Sequence, residues 1–193
     1  MAREEQKMRS DSVRQAILDT ALEIGMKEGF EELSIRKIIN QMRYSTGVVY
    51  HHFKDKQEII DAIEAAETKW LQGQIMELLD ESKDVAAEIE TVFKRILKLA
   101  FEEPEKYNLI VLHKYSRRKS EQPGWITHLC KRLQEGMDKG LIKEMDTEKA
   151  AFAIWSSFLG FHLMISRQRE LTMEEAEEMF RVQLNIILKG VLR

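Results

Sequence analysis

The stretch SIRKIINQMRYSTGVVYHHFKDK, residues 34–56, decides how the N-terminal part of this chain folds. Ser34 and Ser45 are residue types that favour the N-cap of a helix, and each precedes a short run whose apolar side chains have helical spacing. Only residues 42–44 lie between the two runs, which is too few for more than a turn. The stretch therefore predicts a helix-turn-helix unit with its second helix over residues 46–53.

Basic side chains are concentrated in this stretch, although the whole chain has a formal net charge of −3 at pH 7. Five Lys or Arg residues are opposed there by Asp55 alone. Phosphate contacts are local and salt screens charges beyond about 8–10 Å, so a compact basic face can bind nucleic acid even on an acidic protein. Because the second helix of such a unit enters the major groove, double-stranded DNA is the predicted partner.

Helical signals continue on both sides of this stretch. Asp11 or Ser12 can cap an amphipathic helix that ends at Gly29, which completes a three-helix head. Asp55 can cap a long helix that follows it. Further helices are predicted over residues 85–102, 105–120, 125–139, 147–168 and 172–192. We predict an all-α fold of about nine helices, with a helix-turn-helix DNA-binding domain over residues 1–54 and a helical bundle for ligand binding and dimerisation over residues 55–193.

The composition fits a globular protein rather than a membrane protein. Hydrophobic residues make up 44% and charged residues 33% of the 193 positions, and only nine glycines and two prolines interrupt good helix formers. Cys130 is the only cysteine and the polar start lacks the apolar core of a signal peptide, so we expect a cytoplasmic protein. The longest apolar run, residues 152–165, is shorter than the roughly 20 residues that cross a bilayer. It predicts a buried helix and no membrane partner.

Residues 13–60 resemble the TetR (tetracycline-repressor-like) family of one-component transcriptional regulators. The matching features are the apolar helix ILDTALEIG, the pair Gly29-Phe30, Ser34 with Ile35 and Ile38, Ser45 with Gly47, the block Tyr50-His51-His52-Phe53, and Lys56. Beyond residue 60 only the layout of helices is similar. The resemblance implies a dimeric repressor whose C-terminal half binds a small effector.

The same resemblance implies roles for individual residues of the head. Base edges would be contacted by Ser45, Thr46, Gly47 and Val48, and the methyl groups of Thr46 and Val48 suit thymine. Phosphates would be contacted by Ser34, Tyr50, His51, His52 and Lys56, whose side chains can all donate hydrogen bonds. Arg36 joins the DNA-binding set by its charge, with a merely solvated position as the alternative. Phe53 is expected to pack against the first helix.

The turn of the unit departs from the family pattern. The family usually has a small residue, a glycine and an aliphatic residue where this chain has Met42, Arg43 and Tyr44, and Ile39 stands where alanine is common. A non-glycine residue in a left-handed turn conformation costs on the order of 1 kcal/mol. The turn is therefore expected to differ locally from the family.

The predicted helix over residues 147–168 is apolar on nearly all sides, so a second surface must cover it. We expect the same helices of another subunit to do so in an isologous dimer, with a large monomeric core as the alternative. The predicted dimer interface comprises Ser156, Gly160, Leu163, Phe180, Leu184, Ile187 and Leu188.

Apolar residues of the middle helices form a candidate ligand pocket for a small apolar or amphipathic effector. Its predicted lining comprises Trp70, Phe93, Leu97, Phe101, Tyr107, Val111, His113, Trp125, Leu129 and Trp155. Such stripes are more often plain core, which stays the alternative for each of these residues.

No motif in the sequence supports an enzyme. HExxH, a Gly-rich phosphate loop and GxSxG are all missing, so no catalytic residue and no cofactor are predicted. The adjacent His51 and His52 point in different directions on a helix, and no metal site is predicted. The predicted function is a homodimeric, ligand-responsive repressor on a near-palindromic operator; the alternative is a helical ligand-binding or interaction module with a degenerate DNA-binding domain.

Overall fold

The computed structural model describes residues 2–80, 84–115, 124–165 and 170–191, and these ranges contain nine helices and no β-strand. The helices are α1 (Ala2–Glu28), α2 (Ile35–Met42), α3 (Thr46–His52), α4 (Lys56–Leu78), α5 (Val85–Glu102), α6 (Pro104–Ile110), α7 (Gly124–Asp138), α8 (Thr147–Ile165) and α9 (Met173–Val191). The predicted all-α class and the helix-turn-helix are therefore confirmed.

The chain divides into two compact units. The first contains Met1–Lys69 and Glu105–Ser120, and the second contains Trp70–Pro104 and Glu121–Arg193. Helix α4 is therefore shared: its residues through Lys69 belong to the first unit and those from Trp70 to the second. The predicted domain boundary between residues 54 and 55 separates DNA binding from ligand binding and dimerisation. It stays a prediction.

Apolar side chains of α1, α2 and α3 form the core of the first unit. Ile17 of α1, Ile38 of α2 and Val49 of α3 are fully buried, and Phe53 after α3 is nearly so. The guanidinium carbon of Arg14 lies 4.9 Å from the centre of the Phe53 ring. The predicted packing of Phe53 against the first helix is thus confirmed.

Helix α1 ends as the sequence predicts but begins earlier. Gly29 has φ 90°, and buried Phe30 folds back so closely that a Cβ atom at Gly25 would fall on its ring. The start at Asp11 or Ser12 is wrong, because the helix already begins at Ala2. The residues between are mainly strong helix formers, which continue the helix without needing a cap at Ser12.

The helix predicted over residues 105–120 is much shorter in the structure. Pro104 occupies the first position of α6, where its missing N–H is not needed. The helix ends at Ile110, and His113 then takes a left-handed conformation with φ 49°. The remaining predicted residues 116–120 lie outside the described residues, as do the predicted helix ends at 166–168 and 192.

An aromatic cluster joins α5, α8 and α9 in the second unit. Phe93 stacks on Phe158 with ring centroids 4.0 Å apart, and Phe180 meets both rings edge-on at 5.8 and 5.9 Å. All three side chains are nearly inaccessible to solvent. Among the residues described, no helix combines the length and the apolar character needed to cross a membrane.

His162 of α8 is buried in the same region. Its ring centroid lies 4.2 Å from that of Phe158, and the side chain is 1% exposed. Burial lowers its pKa from the ordinary 6.5 to about 3, because desolvation disfavours the charged imidazolium. The unfolded chain takes up a proton near pH 6.5 and the folded chain does not, so falling pH favours unfolding across this interval.

We expect this residue to lower the free energy of unfolding by about 1.4 kcal/mol between pH 7.5 and pH 5.5. Urea unfolding at the two pH values measures the difference. His162→Phe should remove this part of the pH dependence, whereas His51→Gln, at an exposed histidine, should retain it. If wild type and His162→Phe show the same pH dependence of the free energy of unfolding, His162 is not its source.

Candidate functional site

Helix α3 buries one side and exposes the other. Val49 is inaccessible, whereas Thr46 and Gly47 are exposed and Tyr50 is 54% exposed. Val48, also predicted to lie at base edges, is half-buried. The residues predicted to contact bases therefore share a short helix whose outer side is open to solvent.

The two predicted N-caps differ in what their hydroxyl groups do. Ser34 precedes α2, and its Oγ accepts a hydrogen bond from the backbone N–H of Lys37 at 3.2 Å. Ser45 precedes α3 with the extended backbone of a cap, and its side chain makes no capping hydrogen bond within the described residues. The Ser45 hydroxyl is thus available for a partner beyond the helix, and the Ser34 hydroxyl can still donate its hydrogen.

Neighbouring basic residues on α2 have different electrostatic surroundings. Lys37 Nζ lies 2.7 Å from Glu28 Oε2 and 3.8 Å from Glu32 Oε2. Its hydrogen bond and charge hold the pKa of Glu28 below the ordinary value. Arg36 is exposed and makes no ion pair with any described residue. Of the two charges, only that of Arg36 is left uncompensated for an anionic partner.

The other predicted phosphate contacts surround the end of α3. Lys56 is half-buried, and its Nζ donates a hydrogen bond to the backbone oxygen of Glu31 at 3.0 Å, which leaves two further ammonium hydrogens. His51 is exposed and its ring meets that of half-buried His52 edge-on at 5.0 Å. Burial, and then the charges of His51 and Arg14, lower the pKa of His52. His52 is therefore a neutral donor near pH 7.

The turn between α2 and α3 contains a non-glycine residue in the left-handed conformation. Arg43 has φ 58° and ψ 31°, the left-handed region in which glycine is favoured. Its side chain is exposed, as is that of Tyr44. The sequence comparison with the family did not include these two residues in the DNA-binding set, although both directly precede the exposed cap of α3.

The predicted ligand-pocket residues are divided between the two units. Tyr107, Val111 and His113 belong to the first unit, and the other predicted lining residues belong to the second. The Trp125 side chain lies outside the described part of the chain. Of the predicted set, only Phe93 and Leu129 line a cavity of about 20 Å³ in the second unit. Trp70, Leu97, Phe101 and Trp155 do not line it.

Sequence reasoning missed the charged residues of this cavity. Glu88 of α5 and Arg132 of α7 line it and are each 4% exposed. A signal exists in the spacing, because Glu88 precedes the buried Val92 by four residues and Arg132 follows the buried Leu129 by three. Charged residues are almost never fully buried unless paired, and the two partners are 44 positions apart, so spacing alone does not identify either as buried.

The exposed apolar surface of α8 and α9 differs from the predicted dimer interface. Phe180 and Leu184 point into the subunit, where Phe180 packs on the aromatic cluster, and they are not surface residues. Ile187 and Leu188 are half-buried, whereas Ser156, Gly160 and Leu163 are exposed. The large exposed apolar side chains on the two helices are Phe152, Leu163, Met164, Met179, Val182 and Ile186.

Histidine, cysteine and carboxylate side chains are dispersed in the described ranges, where no group of three or more could hold a metal ion. His51 and His52 lie beside each other without a third such side chain from the described residues, and other histidines lie beside carboxylates that serve as ion-pair partners. His113 Nδ1, for example, lies 2.7 Å from Glu64 Oε1.

The sequence of residues 17–63 matches the family described as "Bacterial regulatory proteins, tetR family". These residues run from the buried part of α1 to the first turns of α4 and include the whole helix-turn-helix. A comparison with curated protein sequences finds no match.

Solved structures share the fold over almost the whole chain. A TetR-family transcriptional regulator from Pectobacterium atrosepticum superposes with a TM-score of 0.75 at 17% identity, covering 96% of each chain. AibR, in complex with isovaleryl coenzyme A and operator DNA, gives 0.63 at 21% identity and covers 87% of this chain and 95% of its own. The ketosteroid transcriptional regulator of Mycobacterium tuberculosis gives 0.63 at 17%, with 93% and 95% covered. At these identities the likeness shows a common fold.

Proposed function

We propose, from the match of residues 17–63 to the tetR family of bacterial regulatory proteins, that this chain is a homodimeric repressor of that family. It binds a near-palindromic operator in the cytoplasm and is released by a small apolar or amphipathic effector. The observation that carries the proposal is the short α3, which buries Val49 and exposes Thr46, Gly47 and Tyr50 within the residues that match the family. No catalytic step, cofactor or metal is part of it.

Contacts with DNA come from α3 and the residues around it. Ser45, Thr46, Gly47 and Val48 read base edges at the start of the recognition helix. The second set, Ser34, Arg36, Tyr50, His51, His52 and Lys56, contacts phosphates and positions the helix. The exposure of Thr46, Tyr50 and Arg36 supports these roles, as does the uncompensated charge of Arg36.

Dimerisation uses the outer faces of α8 and α9. Phe152, Met164 and Ile186 are between 66% and 69% exposed in a single chain, and burying such large apolar side chains against a second subunit is favourable. Ser156, Gly160 and Leu163 stay in the proposed interface, with Ile187 and Leu188 at its margin. A two-fold axis then places two heads on half-sites about one helical turn, roughly 34 Å, apart.

Release by an effector follows from α4, which is shared by both units. AibR was solved with isovaleryl coenzyme A and operator DNA, so this fold accommodates both kinds of partner in at least one relative. An effector that prefers one arrangement of α4 changes the separation of the two heads and spoils simultaneous docking. A coupling of about 1–3 kcal/mol would lower operator affinity roughly 5- to 150-fold.

Selection of bound sequences from a random duplex library tests the proposed function directly. We expect enrichment of a near-palindrome whose half-site centres lie about 10 base pairs apart, because two identical heads dock on one face of the DNA. An unenriched pool, with the protein shown to be folded by circular dichroism, would refute sequence-specific DNA binding.

Arg36→Ala should weaken binding to operator and to random DNA alike. The slope of log K against log salt should become shallower by about one unit, since one phosphate contact is lost. Fluorescence anisotropy at several salt concentrations measures both effects. Lys37→Ala is the matched control and should change the slope less, because Lys37 is already paired with Glu28 and Glu32. Equal effects of the two substitutions would argue against the phosphate role of Arg36.

Ile186→Glu should separate the subunits without unfolding them, because position 186 is 67% exposed in the single chain and becomes buried only in the dimer. Sedimentation velocity should show a monomer with an unchanged circular dichroism spectrum. Leu184→Glu, at a position only 3% exposed, should unfold the second unit instead. If the wild-type protein sediments as a monomer at micromolar concentration, the proposed dimer is refuted.

A further inference from the structure

The second unit contains a small cavity whose wall carries buried charge. Its volume is about 20 Å³, and most of its lining is apolar, with Ile89, Val92, Phe93 and Leu129 among the lining residues. A cavity of this size holds a group about as large as one water molecule. Glu88, His128 and Arg132 complete the lining and are its polar members.

Only one of the two carboxylate oxygens of Glu88 accepts a hydrogen bond. Arg132 Nε donates a hydrogen bond to Glu88 Oε2 at 2.8 Å, while no donor in the described residues lies within hydrogen-bond distance of Oε1. His128 Nε2 is 3.7 Å from Oε2, too far for a hydrogen bond, and likewise has no hydrogen-bond partner there. Buried polar atoms normally have partners, so a carboxylate oxygen of this kind is suited to a hydrogen-bond donor from a ligand.

The unpartnered carboxylate oxygen of Glu88 favours a positively charged hydrogen-bond donor. Arg132 also donates through Nη1 to Glu135 Oε2, so that two carboxylates share one guanidinium. Lys131 Nζ lies 3.6 Å from Glu135 Oε1, so the charges of this cluster are balanced, and Oε1 of Glu88 is the carboxylate oxygen beside the cavity that has no donor in the described residues. An ammonium group supplies positive charge and three donors, and its size suits the cavity.

We infer that this cavity binds the primary ammonium group of an apolar amine, and that such an amine is the effector of the protein. The ammonium donates to Glu88 Oε1, and the apolar walls contact the alkyl body. Room for that body requires displacement of apolar lining side chains. A ligand that binds the displaced arrangement better shifts the population toward it, which is what the effector of a two-state regulator must do.

Anionic head groups are disfavoured at the same place. A ligand carboxylate would approach the unpartnered oxygen of Glu88, and like charges repel strongly where water is excluded. Arg132 offers little compensation, because both Glu88 and Glu135 already bind its guanidinium. The inference rests on the proposed effector response and gives it a chemical class.

Calorimetric titration of the full-length protein at pH 7.5 with three matched probes tests this inference. The probes are n-octylamine, n-octanol and n-octanoate, which share a chain length and differ in head-group charge. We expect octylamine to bind about 10- to 100-fold more tightly than octanoate, the range that one charged hydrogen bond supplies. Equal or tighter binding of octanoate would overturn the inference, and so would undetectable octylamine binding at millimolar concentration.

Two substitutions locate the bound ammonium. Glu88→Gln removes the charge and should abolish the preference for octylamine over octanol. Glu135→Gln is the matched control, because Glu135 contacts Arg132 outside the cavity lining, and it should keep the preference. An unchanged amine affinity in Glu88→Gln would refute the site.

A double variant covers the case in which Glu88→Gln does not fold. Glu88→Leu with Arg132→Met replaces the buried pair by apolar side chains of similar size, a change that is often neutral or stabilising. Its circular dichroism spectrum should match wild type while its preference for octylamine is lost; retention of that preference would refute the site.

The effect of octylamine on operator binding distinguishes a failure of this inference from a failure of the proposed function. If sequence-specific DNA binding fails in the selection experiment but octylamine still binds through Glu88, the ligand site stands and the repressor function does not. If operator binding is found and octylamine binds without weakening it, the amine is not the effector and the inference fails.

Discussion

Helix α3 depends on the core beneath it. Seven residues are too few for a stable helix in water, since nucleation is unfavourable and isolated helices need about 12–15 residues. Burial of Val49 within the helix, and of Phe53 directly after it, holds the segment against the rest of the first unit. The same burial determines which side faces outward, so Gly47 and Tyr50 are exposed because Val49 is not. The proposed recognition of DNA rests on this one packing constraint.

Helices α8 and α9 likewise bury one side and expose another. Phe158 and Phe180 close the core of the second unit with Phe93, and they do so within one subunit. Phe152 and Ile186, on the same two helices, remain on the surface. An apolar helix surface can therefore complete a subunit core on one side and provide the proposed subunit interface on the other. The aromatic cluster keeps the proposed interface residues in place.

Glu88 and Arg132 form a buried ion pair in a largely apolar core. Such pairs are weak evidence for stability, because desolvation offsets much of their attraction. Here one carboxylate oxygen of Glu88 also has no hydrogen-bond partner among the described residues, which adds to the free-energy cost of burying the pair. Apolar side chains at these two positions would suit a purely structural core, which is why a binding role for Glu88 deserves preference over a structural one.

Local signals in the sequence determined the helical class, the caps at Ser34 and Ser45, and the end of α1 at Gly29 and Phe30, because each of these depends on residues within about one turn. They also carried the resemblance to the TetR family, whose model matches residues 17–63. Only the tertiary structure decided that Phe180 and Leu184 lie in the core and Ile186 on the surface, since helical spacing does not reveal which neighbour covers which side. The burial of Glu88 beside Arg132 was decided there too, because the two residues are 44 positions apart and their pairing depends on how α5 and α7 pack.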